Sequence, residues 1–136
     1  MREILFRGKR TDNGEWVEGD LLHYESGEMA ICKGFSKYGY EATEIIGRYK
    51  VIPETVGQFT GLTDKNGVRI FEGDIVTGYF NHEKIVGYVF YGGSAQFFIQ
   101  RDGIYGIGLN NSDCWLEVIG NIHDNPELLE GGGGDG

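Results

Sequence analysis

Glycine occurs at 19 of the first 130 positions, and five more lie among the last six residues (Gly131, Gly132, Gly133, Gly134 and Gly136). Even without that terminal cluster, the share is about twice the usual one. Glycine in a helix interior costs backbone entropy and leaves nothing to pack, so long helices are disfavoured and short strands joined by tight turns are favoured. The 136 residues fit one compact domain or two very small β modules. With 40% hydrophobic and 13% aromatic residues, a packed core can form and wholesale disorder is excluded. No apolar run approaches membrane-spanning length, and Met1-Arg2-Glu3 does not open a signal peptide. The expectation is a soluble, cytoplasmic protein with no membrane partner.

Turn signals divide the chain. Asp12-Asn13-Gly14 separates the stretch Ile4–Lys9 from Trp16–Tyr24, which reads as a hairpin with a type I′ turn at Asn13-Gly14. Ser26-Gly27 leads to Met29–Cys32, Lys33–Ala42 reads as an exposed aromatic loop, and Thr43–Val51 offers one more strand of poor period. Pro53 opens a single helical turn. In the second half, Asp64-Lys65-Asn66-Gly67, Asn81-His82-Glu83, Gly92-Gly93-Ser94 and Asp102-Gly103 punctuate strands near 68–71, 73–80, 84–91, 95–101, 104–109 and 114–119. Short strands at this spacing suggest a small barrel or sandwich. Asn125-Pro126 reads as the cap and first position of a closing helical turn.

The formal charge of −9 is spread unevenly: −2 over residues 1–58, −3 over 59–123 and −4 from Asp124 onward. Binding to nucleic acid through phosphates needs a basic face, and the one dense basic run is Arg7, Lys9, Arg10. On a strand, Arg7 and Lys9 share a face while Arg10 takes the other, which reads as an ordinary solvated strand. Acidity favours basic protein partners and argues against DNA or RNA.

Signals of chemistry fail on spacing. Gly8-Lys9-Arg10 lacks the glycine spacing and the Ser/Thr of a phosphate loop, and Gly106-x-Gly108 lacks the third glycine of a dinucleotide fingerprint. Asp64-x-Asn66-Gly67 resembles the start of a calcium loop, but its twelfth position is Ile75 and not Glu, so it reads as a hairpin turn. Asn110-Asn111-Ser112 is a glycosylation sequon in form alone. Cys32 and Cys114 lack local pairing with each other or with His23, His82 and His123, so a zinc site is not expected and both read as free thiols. Cys32 with His23, and Cys114 with His123, are chance pairs rather than nucleophile and base. Glu72 and Asp74 share a strand face, but Asp74 reads as an acceptor of backbone N–H groups at a turn. No catalytic residue, metal or cofactor is expected.

The aromatics say most. Along Lys84–Tyr91, alternation puts Ile85, Val89 and Tyr91 on one face and Val86, Tyr88 and Phe90 on the other, and both faces are apolar. Phe97 and Ile99 oppose Gln96, Phe98 and Gln100 on the next strand, and Tyr105, Ile107 and Leu109 share a face further on. A small barrel has one inner set, so Tyr88, Phe90 and Phe98 form the candidate interaction surface, meeting the first domain, another subunit or a ligand. The expected role is a non-catalytic, self-associating protein-interaction module. The alternative is a single-stranded nucleic-acid binder that stacks bases on those rings.

Three stretches resemble the YopX family of phage and prophage proteins. The opening is Arg2-Glu3-Ile4-x-Phe6-Arg7-Gly8-Lys9-Arg10 with Gly14-x-Trp16-Val17. The central block runs Val51-Ile52-Pro53-Glu54-Thr55-Val56-Gly57-Gln58-Phe59-Thr60-Gly61-Leu62, then Asp64-Lys65-Asn66-Gly67 and Ile70-Phe71-Glu72-Gly73-Asp74-Ile75-Val76. The close is Glu117-Val118-Ile119-Gly120-Asn121-Ile122-His123-x-Asn125-Pro126-Glu127-Leu128-Leu129. The resemblance implies a mostly-β fold with an SH3-like barrel in the second half and an origin in a phage or prophage genome. It implies no activity and no catalytic residues. The expected organisation is an N-terminal β module over 1–58, an SH3-like barrel with closing strand and helical turn over 59–129, and a flexible glycine-rich tail over 130–136.

Overall fold

The computed structural model describes residues 4–33, 47–80, 82–92, 97–101, 104–108 and 115–132. It is mostly β, with strands in chain order β1 Phe6–Lys9, β2 Trp16–His23, β3 Met29–Cys32, β4 Arg48–Val51, β5 Gly57–Thr63, β6 Arg69–Phe71, β7 Asp74–Phe80, β8 Glu83–Tyr91, β9 Phe97–Arg101, β10 Ile104–Gly108 and β11 Glu117–Asn121. A 3-10 turn covers Pro53–Thr55 and a short helix, α1, covers Glu127–Gly132. The strands form two antiparallel sheets, ordered β4-β3-β2-β1-β5-β6 and β10-β9-β8-β7-β11. The chain divides into two compact units, Met1–Phe59 and Thr60–Gly136. The expected loop Lys33–Ala42 lies outside the described residues beyond Lys33, as do the first residues of the expected strand Thr43–Val51.

In the first unit the β1–β2 hairpin has the expected partners, Phe6 opposite Gly19 through Lys9 opposite Trp16. Its turn differs from the expected type I′. Only Gly14 takes a positive φ (75°), and Asn13 instead accepts the Glu15 N–H at 2.9 Å through its side chain. The Arg10 N–H donates to Glu15 O at 2.8 Å, so the loop is longer than two residues, and such loops are built on a right-handed turn closed by a left-handed glycine. The core here is Val17, Ile31 and Val51, with Phe6, Leu21, Met29, Tyr49 and Val56 packed against it. A lone bridge from Arg10 to Val51 curls the sheet. Two backbone bonds flank it, Thr11 N–H to Lys50 O at 3.0 Å and Ile52 N–H to Lys9 O at 2.8 Å. Thr55 secures the same corner, since its hydroxyl accepts the Lys9 N–H at 2.9 Å and donates to Ile52 O at 2.6 Å.

In the second unit Val76, Ile85, Val89, Phe97 and Ile99 form one buried face of the sheet, covered by Ile70 and Leu116 with Leu62, Trp115 and Val118 around them. The expected closed barrel is corrected. The sheet is open, with β10 and β11 at its two edges. A barrel closes when its edge strands pair with each other. Here Ile70, Leu116 and Leu62 cover the apolar face by packing, so burial is reached without that pairing. The closing strand lies later than expected, at Glu117–Asn121, with its register shifted between Val118 and Gly120 opposite β7. Helix α1 runs to Gly132, so Glu130, Gly131 and Gly132 continue the helix instead of beginning the tail. A short helix depends on tertiary contact more than on propensity, and this one lies against β8.

Candidate interaction surface

Strand pairing places the sequence candidates with one another. Tyr88 stands opposite Ile75 on β7 and Gln100 on β9, and Phe90 stands opposite Phe98. Directly opposite residues of an antiparallel pair share a face, so Tyr88, Phe90, Phe98 and Gln100 occupy the face away from Ile85, Val89, Phe97 and Ile99. The rings form a ladder. Phe90 and Phe98 stack with centroids 5.6 Å apart at 29°, and Tyr88 lies 6.1 Å from Phe90 at 52°. All three are half-buried. The ladder exists because β8 alternates apolar residues on both faces, and because Gly92 leaves room for the Phe98 ring: a Cβ at position 92 would meet ring carbons at 2.5 Å. Ile75, fully buried, shares this face with Tyr88, whereas Tyr79 opposite Lys84 is 66% exposed. The face thus grades from buried to wet along β7. At the end of the core face, Tyr91 meets Phe97 edge-on at 5.1 Å.

The polar residues of the central block have a different occupation. Asp64, 5% exposed, accepts three backbone N–H groups: Asn66 at 2.8 Å and Val68 at 2.9 Å on one oxygen, and Val118 of β11 at 2.9 Å on the other. Burial by itself would raise this carboxyl's pKa, but the N–H groups of Val118, Val68 and Asn66, with Lys65 nearby, outweigh it and hold the pKa below the usual carboxylate range. Asp74 accepts the Phe71 N–H at 2.7 Å. Thr60 donates to Ile70 O at 2.8 Å and accepts the Leu62 N–H at 3.2 Å. In the closing segment Asn121 accepts the N–H groups of His123 and Asp124, both at 2.9 Å. The expected Asn125 helix cap is corrected: its side-chain oxygen turns back to the Asn121 N–H at 3.2 Å, over a Gly120 too crowded for any Cβ. The most recognisable residues of the sequence are therefore turn pins. The hairpin at Asp64 is legible from Asp-x-Asn-Gly, but its bond to Val118, 54 residues away, has no local signal.

The remaining sequence candidates separate. Cys32 pairs with Asp20 and His23 with Met29, so thiol and imidazole stand three residue pairs apart, roughly 10 Å, on opposite faces. Cys32 is a buried free thiol. Cys114, the expected neighbour of His123, lies outside the described residues. Arg7 and Lys9 share a face and flank one ring, the Arg7 guanidinium 4.9 Å and the Lys9 ammonium 5.8 Å from the centre of Trp16. Arg10 points the other way, over Tyr49 at 4.3 Å, and its hydrogen-bonded ion pair with Asp12 holds that carboxyl below its ordinary pKa. Among the described residues, no three His, Cys, Asp or Glu side chains converge as a metal site would need, and no helix is long and apolar enough to cross a membrane.

An all-β chain whose motif residues shape turns, and whose unexplained feature is an aromatic ladder on a sheet face, defines the class. The YopX protein family model matches residues 5–130, and the chain belongs to the YopX family. Among solved structures it is similar to protein EF1440 from Enterococcus faecalis, with 32% identity, a TM-score of 0.67, and coverage of 95% of this chain and 99% of that one. No protein of curated function matches it.

Proposed function

We propose that this protein is a non-catalytic, phage- or prophage-encoded interaction module that works in the host cytoplasm, binding protein through Tyr88, Phe90 and Phe98 and associating with itself. The observation that carries the reading is the ring ladder on the face of β8 and β9 opposite Ile85, Val89, Phe97 and Ile99. Aromatic rings give large contact area at low entropic cost and are enriched at binding surfaces. Engagement of Asp64, Asp74, Thr60, Asn121 and Asn125 in backbone bonds supports a structural reading of the family block over a catalytic one. The net charge of −9 favours a basic protein surface as partner and opposes nucleic acid.

The test is a tagged pull-down from phage-infected host cells, in nuclease-treated and untreated halves, with wild type, Tyr88→Ala and Phe98→Ala. A discrete partner that survives nuclease and falls at least about tenfold in recovery with both variants, while thermal midpoints drop by only a few degrees, supports the module. Variants that lose stability but keep the partner would make the rings core residues and end the reading. Retention of labelled single strands by the wild type, abolished by Lys84→Glu with Arg101→Glu, would replace it with base stacking.

A further inference from the structure

The two sheets have four edge strands, β4, β6, β10 and β11, and three of them have at least one backbone group engaged by a bridge or a side chain. At β4 the Arg10 bridge and the bond from Thr11 N–H to Lys50 O occupy the edge, and Arg48 and Lys50 charge it. At β11 the Val118 N–H is taken by Asp64, and the Lys65 N–H donates to the adjoining Leu116 O at 2.9 Å. At β6, a strand of three residues, the Phe71 N–H is taken by Asp74. Charged residues, short strands and side-chain plugs are the devices by which sheets avoid adding a foreign strand.

Among the described residues β10 has neither a charge nor a side-chain plug, and its one irregularity is the register shift opposite β9 between Ile104 and Ile107. Its sequence, Ile104-Tyr105-Gly106-Ile107-Gly108, holds no charge and no proline. It pairs with β9 at Ile104–Arg101, Ile107–Ile99 and Gly108–Phe98, and among the described residues nothing pairs with its other side. We infer that β10 is a strand-addition edge whose occupant is β10 of a second copy, paired antiparallel about a two-fold axis. A self-pair must be self-complementary, and like charges directly opposite each other destabilise it, so an uncharged strand suits this geometry. Gly108 opposite Phe98 puts the edge beside the aromatic ladder, so pairing would join the outer faces of two copies. Two chains of −9 repel, and salt should tighten the dimer. The inference concerns the strand edge and does not require the ring face to bind anything.

Sedimentation equilibrium tests it, from about 10 µM to about 1 mM protein, at about 0.15 M and about 0.5 M salt. The expected result is a monomer–dimer equilibrium that tightens with salt. Gly108→Lys and Gly106→Pro should each weaken it at least about tenfold, while Phe98→Ala leaves it within about threefold. Gly106 lies where the β9–β10 register shifts, so proline there spares the existing ladder. If either variant fails to fold, hydrogen exchange on the unmodified chain decides, because β10 amides must gain protection as concentration rises. A monomer throughout, a dimer indifferent to both β10 variants, or β10 amides equally protected in the monomer would overturn the inference. A dimer lost with Phe98→Ala alone would overturn it too, and would leave the aromatic-face proposal standing.

Discussion

Asp64 shows how one carboxylate can hold two distant segments. Its two oxygens serve the Asn66 and Val68 amides of its own turn and the Val118 amide of β11. Replacing it by Ala leaves buried N–H groups unserved at about 1–3 kcal/mol each, partly relieved by water. Asp64→Ala should therefore destabilise folding by about 2–4 kcal/mol in urea titration. Asp64→Asn should cost less, since the amide oxygen still serves the turn. The pH dependence follows from its lowered folded-state pKa. The ionised group contributes stability above the ordinary carboxylate pKa, and that contribution is lost as pH falls through the lower folded value. Wild-type stability should decline on acidification below about pH 4, and Asp64→Asn should show a shallower decline. An unchanged slope would mean that other carboxylates carry the acid sensitivity.

At the scale of the element, β8 and β9 carry two messages in one alternation. Ile85, Val89, Phe97 and Ile99 close the core, while Tyr88, Phe90 and Phe98 build the ladder behind it. Truncating a fully buried side chain removes transfer energy and leaves a cavity, so Ile99→Ala should cost about 2–5 kcal/mol with little change in the urea m-value. Phe98→Ala removes a larger side chain but should cost less than Ile99→Ala, because its ring is half-exposed already. The reverse order would put the ladder in the core. This phase was legible from residue types alone, because the period of two leaves no other assignment once Ile85 and Val89 face inward. The β1–β2 turn was not: Asn-Gly admits type I′, but the observed loop is longer, and its length depends on where the Arg10–Val51 bridge lets β1 end.

Across the whole molecule, acidity sets the solution behaviour. With a net charge of −9 and an isoelectric point near 4.7, solubility should be least near pH 4.7, where repulsion between copies vanishes. Turbidity against pH checks this, and a turbidity maximum far from that value would mean that exposed apolar surface, not charge, governs association. Composition, turn chemistry and strand alternation determined the all-β class, most strand positions and the two-faced aromatic strands, because glycine, turn dipeptides and the period of two act within a few residues. Tertiary structure decided whether the second sheet closes, where β11 pairs and what Asp64 holds. It also decided that α1 extends into the glycines. Each of these depends on groups distant in sequence meeting in space: Ile70 and Leu116 cover the open sheet by packing, Val118 presents its N–H across 54 residues, and β8 lies against a helix that glycine propensity alone would not form.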